Sequence, residues 1–215
     1  MRSTIFIKSH CFLIFIGILA YLSISGCGDD NDDGDTPTAT PKVSETLIQG
    51  TWSSECFERD GSHVKTIQGF TDKSYSVTSH IYTRGSDCSS GQNSILTVGE
   101  SGNYQLGEDT GSGNTEIDRT PGSLKVSIIN DTGADATKTA CAFAANSGIS
   151  NPQPNSEIEL VNDSCLSIFQ SPPYNLVKIR DNVMFAGDTE TIEAQNGTES
   201  GKRPQHIGAA LPFMK

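Results

Sequence analysis

Tyr75–Tyr82, YSVTSHIY, is the stretch that decides the fold class. Tyr75, Val77 and Ile81 fall on one side of a period-two pattern, and Ser76, Thr78 and His80 fall on the other. Successive side chains of a strand point to opposite faces, so the alternation describes a strand with one dry face and one wet face. The pattern recurs along the chain. Leu124, Val126 and Ile128 alternate with Lys125 and Ser127, Ile158 and Leu160 with Glu157 and Glu159, and Val177 and Ile179 with Lys178 and Arg180. Asp181-Asn182, two residues that tolerate positive φ, predicts a tight hairpin from Leu176–Arg180 into Val183–Ala186. Gly99–Gly102 predicts another turn, from Ile95–Val98 back into Asn103–Leu106. Ala134–Ala145 (ADATKTACAFAA) predicts one short helix, with Gly148 following it. About eight to ten short antiparallel strands with at most one short helix make an all-β domain, and periodicity alone leaves sandwich and closed barrel both open.

The domain so defined runs from Glu45 to Lys215, and the residues before it read differently. Arg2 and Lys8 precede an apolar run, Cys11–Leu22, which is shorter than the roughly 20 residues needed to span a bilayer. Ile24-Ser25-Gly26-Cys27 then resembles the cleavage site of bacterial lipoproteins. The resemblance implies removal of residues 1–26 and acyl chains on Cys27, and two or more chains hold a protein stably on a membrane. Gly28 after the cysteine, in place of Asp, points to the outer membrane of the cell envelope.

The formal net charge is −11, and it becomes −13 on removal of residues 1–26, which carry Arg2 and Lys8 and no acids. So acidic a chain has no electrostatic footprint for nucleic acid, and the lipid rather than charge must hold it to a membrane. Residues 27–44 read as the lipidated cysteine and an acidic tether, GDDNDDGDTPTATPKVS after Cys27, expected to be disordered. Extended, that tether reaches about 55 Å at roughly 3.3 Å per residue. Asp29, Asn31, Asp33 and Gly34 match the first half of a calcium-binding EF-hand loop, but its twelfth position, which should be Glu, is Thr40. A solvated spacer is the better account, and neither metal nor other cofactor is expected.

Cys56, Cys88, Cys141 and Cys165 remain in the domain. In an exported chain they should be oxidised, and three pairings are open. Cys56–Cys88 with Cys141–Cys165 is favoured because each bridge closes a loop within one half of the domain. A cysteine-based metal site lacks C-x-x-C, and His63, His80 and His206 stand at no ligand-like spacing from the cysteines.

Gly50-Thr51-Trp52 resembles the G-x-W of the first lipocalin strand. With Leu47, Ser54, Cys56, Arg59, Gly61, Tyr82 and Cys88, the stretch resembles the APCDD domain, a lipocalin-like β-barrel. The likeness continues loosely through Gly102–Gly107 and at Arg203-Pro204, whereas the lipocalin Thr-Asp-Tyr motif is absent. It implies a barrel whose interior accepts a lipid or other apolar ligand, and it implies a Cys56–Cys88 bridge. The inward candidates for that ligand are Tyr75, Val77, Ile81, Leu124, Val126, Ile128 and Phe185. A structural alternative is that these side chains fill the barrel, leaving a scaffold that binds a protein or glycan through its loops. Trp52 and Arg203 are expected to stack at the closed end, guanidinium on indole.

No catalytic motif is present: there is no G-x-S-x-G, H-E-x-x-H or phosphate-binding loop. His80 lies on the wet face of its strand, and Asp118, Glu157, Glu159 and Asp163 suit a solvated surface. A non-catalytic module is the expectation.

Overall fold

Turns that accept positive φ fold ten strands into one antiparallel sheet. The computed structural model describes residues 42–141, 149, 151–159, 170–187 and 196–215. Cys27, the tether up to residue 41, Gly148, Leu160, Asp163 and Cys165 lie outside them. The elements are α1 (Glu45–Ile48), β1 (Gly50–Ser54), β2 (Phe57–Arg59), β3 (Ser62–Thr71), β4 (Ser74–Tyr82), β5 (Leu96–Gly111) and β6 (Asn114–Ile128). There follow α2 (Asp131–Cys141), β7 (Ser156–Glu159), β8 (Tyr174–Arg180), β9 (Val183–Gly187) and β10 (Ile207–Met214). Eight of the strands close a barrel in the order β1-β3-β4-β5-β6-β8-β9-β10, because β1 pairs with both β3 and β10. Closure removes the free edges that a sandwich would leave. β2 and β7 are short additions on β3 and β6.

The two-residue turns follow their chemistry. Asp181 and Asn182 both have positive φ (54° and 60°) and turn β8 into β9, as the sequence predicts. Asp60 and Gly61 (50° and 78°) do the same between β2 and β3. Such turns match the right-handed twist of the strands they join.

The expected turn at Gly99–Gly102 does not form. β5 continues through it in register with β4 and β6, and a bulge falls at Ser101/Gly102. A Cβ on Gly102 would stand 2.2 Å from the Thr120 carbonyl oxygen, so this glycine permits a close approach of two backbones, not a reversal. The reversal comes at Gly111-Ser112-Gly113, all at positive φ.

The helix starts before the expected Ala134, and the last four residues of the expected span, 142–145, lie outside the described residues. Asn130 caps it, its Oδ1 accepting the Gly133 N–H at 3.0 Å, so α2 begins at Asp131. The domain also begins earlier than Glu45. Val43, the last apolar residue of the expected tether, is 1% exposed in the barrel core, and its N–H bonds to Thr115 Oγ1 at 2.9 Å. Ser44 caps α1 by accepting the Leu47 N–H.

Two apolar clusters fill the inward face. One joins Trp52, Phe70, Tyr75, Val77, Tyr104 and Ile117 to Val177, Ile179, Met184 and Phe213, with Val43 and Ile48 packed among them. The other gathers Leu96, Val98, Leu124, Val126 and Ile128 against Ala134 and Cys141 of α2. Burying one large apolar side chain contributes about 1.5–3 kcal/mol, so these clusters supply the main force for folding.

Candidate functional site

The residues expected to line a cavity are consumed by packing. Tyr75 and Val77 belong to the first cluster, and Leu124, Val126 and Ile128 to the second, with Ile81 packed against it. Phe185 is the exception. The inward residue of β9 is Met184, which pairs with Ile179 and Phe213, while Phe185 pairs with Lys178 and Pro212 on the outer face. The strand is too short for alternation to fix its phase, and the turn at Asp181-Asn182 fixes it instead.

A chain of polar side chains lies where the two clusters meet. Gln68 of β3, Val77 of β4 and Glu100 of β5 share one register row, so the two polar residues point inward. The Tyr75 hydroxyl donates to Glu100 Oε1 at 2.6 Å, and the Ser171 N–H donates to Glu100 Oε2 at 2.7 Å. Arg119 of β6 donates from Nη2 to Gln68 Oε1 at 2.8 Å and lies 5.3 Å from the Tyr75 ring centre and 5.9 Å from that of Phe70. Its Nε is buried without a hydrogen-bond partner. Burial lowers the Arg119 pKa from its ordinary value, against the opposing pull of Glu100. Burial and the bond to Glu100 push the Tyr75 phenol far up.

Trp52 and Arg203 do not meet. The Trp52 indole N–H donates to the Ile48 carbonyl at 2.7 Å, and Lys215 Nζ lies 5.2 Å from the ring centre. Gly50, at φ 122°, keeps this approach open, since a Cβ there would stand 2.7 Å from Lys215 Cε. Arg203 clasps the outside of the barrel. It reaches Asp118 Oδ1 at 2.5 Å and Glu116 Oε1 at 3.3 Å, and it donates to the carbonyls of Asn175 and Ile117 at 3.0 and 3.3 Å. Its guanidinium lies 5.6 Å from the Tyr174 ring centre. Asp118 is therefore a partner of Arg203, not simply part of a solvated face, whereas Glu157 pairs with Lys125 at the surface.

The clasp pins the segment before β10 across β6 and β8, and a cleft of about 400 Å³ opens beside it. Asn114, Glu116, Leu176, Ser200, Gly201 and Pro204 are among its walls, with Thr110, Gln205 and Arg203 itself. Asn114 Oδ1 is buried without a hydrogen-bond partner. No sequence pattern marks this cleft, because its walls come from the β5–β6 turn, β8 and the residues around Arg203.

Cys56 and Cys88 form a disulfide, as expected. Cys141 is also disulfide-bonded, and Cys165, its expected partner, lies outside the described residues. His80 Nδ1 bonds to Thr97 Oγ1 at 3.1 Å, and burial lowers its pKa. Among the described residues no group of His, Cys, Asp and Glu could hold a metal ion, and no helix is long and apolar enough to cross a membrane. The geometry defines a closed antiparallel barrel whose described inward side chains pack into two clusters, with a polar cleft on its outer wall. No family model matches the chain, and no curated protein matches it.

Proposed function

We propose that this chain is an exported lipoprotein, acylated on Cys27 after loss of residues 1–26, whose barrel is a filled, non-catalytic scaffold of the cell envelope. It stands off the membrane on the acidic tether and presents its outer wall and loops to a partner. The observation that supports a scaffold over a lipid carrier is the packing of the inward candidates. Tyr75, Val77, Leu124, Val126 and Ile128 are each no more than 6% exposed and belong to the two interior clusters. Side chains held in a packed core at the usual density leave little room for an acyl chain. The resemblance of Leu47–Cys88 to the APCDD domain supports the barrel and its Cys56–Cys88 bridge, whereas the filled interior departs from the ligand cavity that the resemblance implies.

Native mass spectrometry of protein purified without added lipid tests the scaffold reading, with the mass of the acylated chain alone expected. A stoichiometric second lipid would overturn it. Labelling with a radioactive fatty acid tests the anchor: the label should be absent from a Cys27→Ala variant, and label that persists would place the modification elsewhere.

A further inference from the structure

We propose that the outer face of β8, β9, β10 and β1 settles on a bilayer surface that carries anionic phospholipid. This rests on the lipid anchor of the scaffold reading and says how the anchored domain is turned. Register builds the face. Arg180, Val183, Met214, Ser53 and Ile67 are successive partners in one row across β8, β9, β10, β1 and β3, and Lys178, Phe185 and Pro212 form the row beside it. Paired residues point to the same side of a sheet, and Met184 and Phe213, of opposite phase, lie in the core, so both rows face outward. The longer row spans about 19 Å at roughly 4.8 Å between strands. Val183, Phe185, Pro212 and Ile67 are partly exposed, and Met214, at 48%, is the most exposed large apolar side chain among the described residues. A contiguous apolar patch bordered by charge marks an interaction surface, where a lone exposed residue would not.

Charge selects the occupant. β8, β9, β10, β1, β3 and β4 follow one another around the barrel and hold no Asp or Glu, although the chain has 26. On this wall Lys178 and Arg180 border the apolar rows, and Lys215 stands exposed at the rim beside Met214. Asp181, in the β8–β9 turn, lies 3.3 Å from Arg180, but both are exposed, and a lipid phosphate can take its place. Screening over about 8 Å lets the wall act through its own charge rather than through the net −11 of the chain. The anchor leads to the same end of the barrel. Val43 donates its N–H to Thr115, and Thr115 pairs with Val177, three residues before Arg180 on β8. The chain from Cys27 therefore enters the barrel at the end where β8 turns into β9, beside the face. On neutral lipid the domain stands off on its tether. On anionic lipid the cations meet phosphates and the apolar rows enter the headgroup boundary. Each cation near such a surface strengthens attachment about fivefold, and the pair about 25-fold.

Methionine oxidation on the acylated mature protein tests this. Loss of residues 1–26 leaves Met214, on the face, and Met184, 2% exposed in the core. The protein is reconstituted in vesicles of phosphatidylcholine, with or without phosphatidylglycerol, treated with dilute hydrogen peroxide and read by peptide mass spectrometry. Sulfoxide at Met214 should form at least about threefold more slowly on the anionic vesicles. Salt at about 0.5 M should remove the difference, and so should Lys178→Glu combined with Arg180→Glu. Met184 reports folding, since it stays unoxidised while the barrel is intact; if it oxidises in the double variant, the salt comparison alone decides. Equal Met214 rates on the two vesicles, or protection that persists in salt or after charge reversal, overturns the proposal. Protection on neutral vesicles that grows with protein density would assign the face to a second copy of the chain and overturns it too. Intact mass reports acylation separately. An acylated chain whose Met214 reacts equally on both vesicles refutes the face alone, whereas an unacylated chain refutes the anchor and the face with it.

Discussion

Arg203→Ala removes the clasp that holds the last segment to the barrel, and its cost follows from the contacts. The guanidinium side chain is 12% exposed and makes two ionic contacts and two bonds to carbonyls. Hydrogen bonds to a charged group contribute about 1.5–3 kcal/mol each when their partners are left dry. Glu116 and Asp118 are 31% and 46% exposed, so water replaces much of what they lose, and the ionic share must be discounted accordingly. What remains is chiefly the loss at the carbonyls and of packing on Tyr174, for a total of about 2–4 kcal/mol. A domain of this size has a urea m-value of about 2 kcal/mol/M, so the unfolding midpoint should fall by about 1–2 M. Arg203→Lys should recover less than half of this, because an ammonium cannot reproduce the planar fork. A double-mutant cycle tells the observed clasp from the stack expected on Trp52. Arg203→Ala and Asp118→Asn should couple by about 1 kcal/mol or more, while Arg203→Ala and Trp52→Phe should add within about 0.5 kcal/mol. Coupling to Trp52 with additivity toward Asp118 would refute the placement of Arg203 on the outer wall.

Four further outcomes are expected. Cys56→Ser with Cys88→Ser opens a loop of sequence separation 32 and should cost about 3–4 kcal/mol in urea unfolding on the chain-entropy estimate; an unchanged midpoint would mean that the bridge constrains nothing. Burial raises the phenols of Tyr75, Tyr82 and Tyr104, so their stabilising contribution is complete below the unfolded tyrosine pKa of about 10 and declines as pH rises beyond it. Their absorbance change near 295 nm should therefore coincide with loss of the folded circular dichroism signal, and ionisation well ahead of unfolding would contradict their burial. Gly102→Ala should cost about 3 kcal/mol or more, because its Cβ would stand 2.2 Å from Thr120 O, whereas Gly99→Ala meets nothing within 4 Å and should change stability by about 0.5 kcal/mol or less; equal thermal midpoints for the two variants would contradict the bulge. Arg119→Met should destabilise by about 3 kcal/mol in chemical unfolding, and adding Glu100→Gln should restore part of that, since the carboxylate then no longer lies buried without a counter-charge; no recovery would mean that the two charges do not interact.

What the sequence made legible was whatever depends on local chemistry. Alternation in Tyr75–Tyr82 and Leu124–Ile128 marked the inward face, and Asp181-Asn182 marked its hairpin, because strand phase and turn geometry are set by neighbouring residues. Gly99–Gly102 misled for a related reason. A glycine cluster signals an unusual backbone in general, and only the partner strand decides whether that means a reversal or the close contact with Thr120. Val43 was hidden by its company, a lone apolar residue after an acidic run, although it contributes to the core beside Thr115. The cleft was illegible throughout. Asn114, Leu176 and Gly201 are ordinary residues in sequence, and their juxtaposition arises from a clasp between Arg203 and residues 85 and 86 positions earlier.

The interior charge bears on how the strands are aligned. β6 changes neighbours along its length, pairing with β8 through Thr115–Asp118 and with β7 through Lys125–Ile128. Arg119 is the first residue beyond the β8 ladder, and its N–H donates to the Pro173 carbonyl at 2.7 Å. The polar group at this divergence takes Gln68 from β3, Tyr75 from β4, Glu100 from β5, Arg119 from β6 and Ser171 from the approach to β8. A slip of any one strand by two residues would set its polar member against an apolar cluster, so the group penalises wrong registers more than it adds to stability. The buried Nε of Arg119 is part of what that specificity costs. The other polar atoms of the group spend their hydrogen bonds on holding five segments in register.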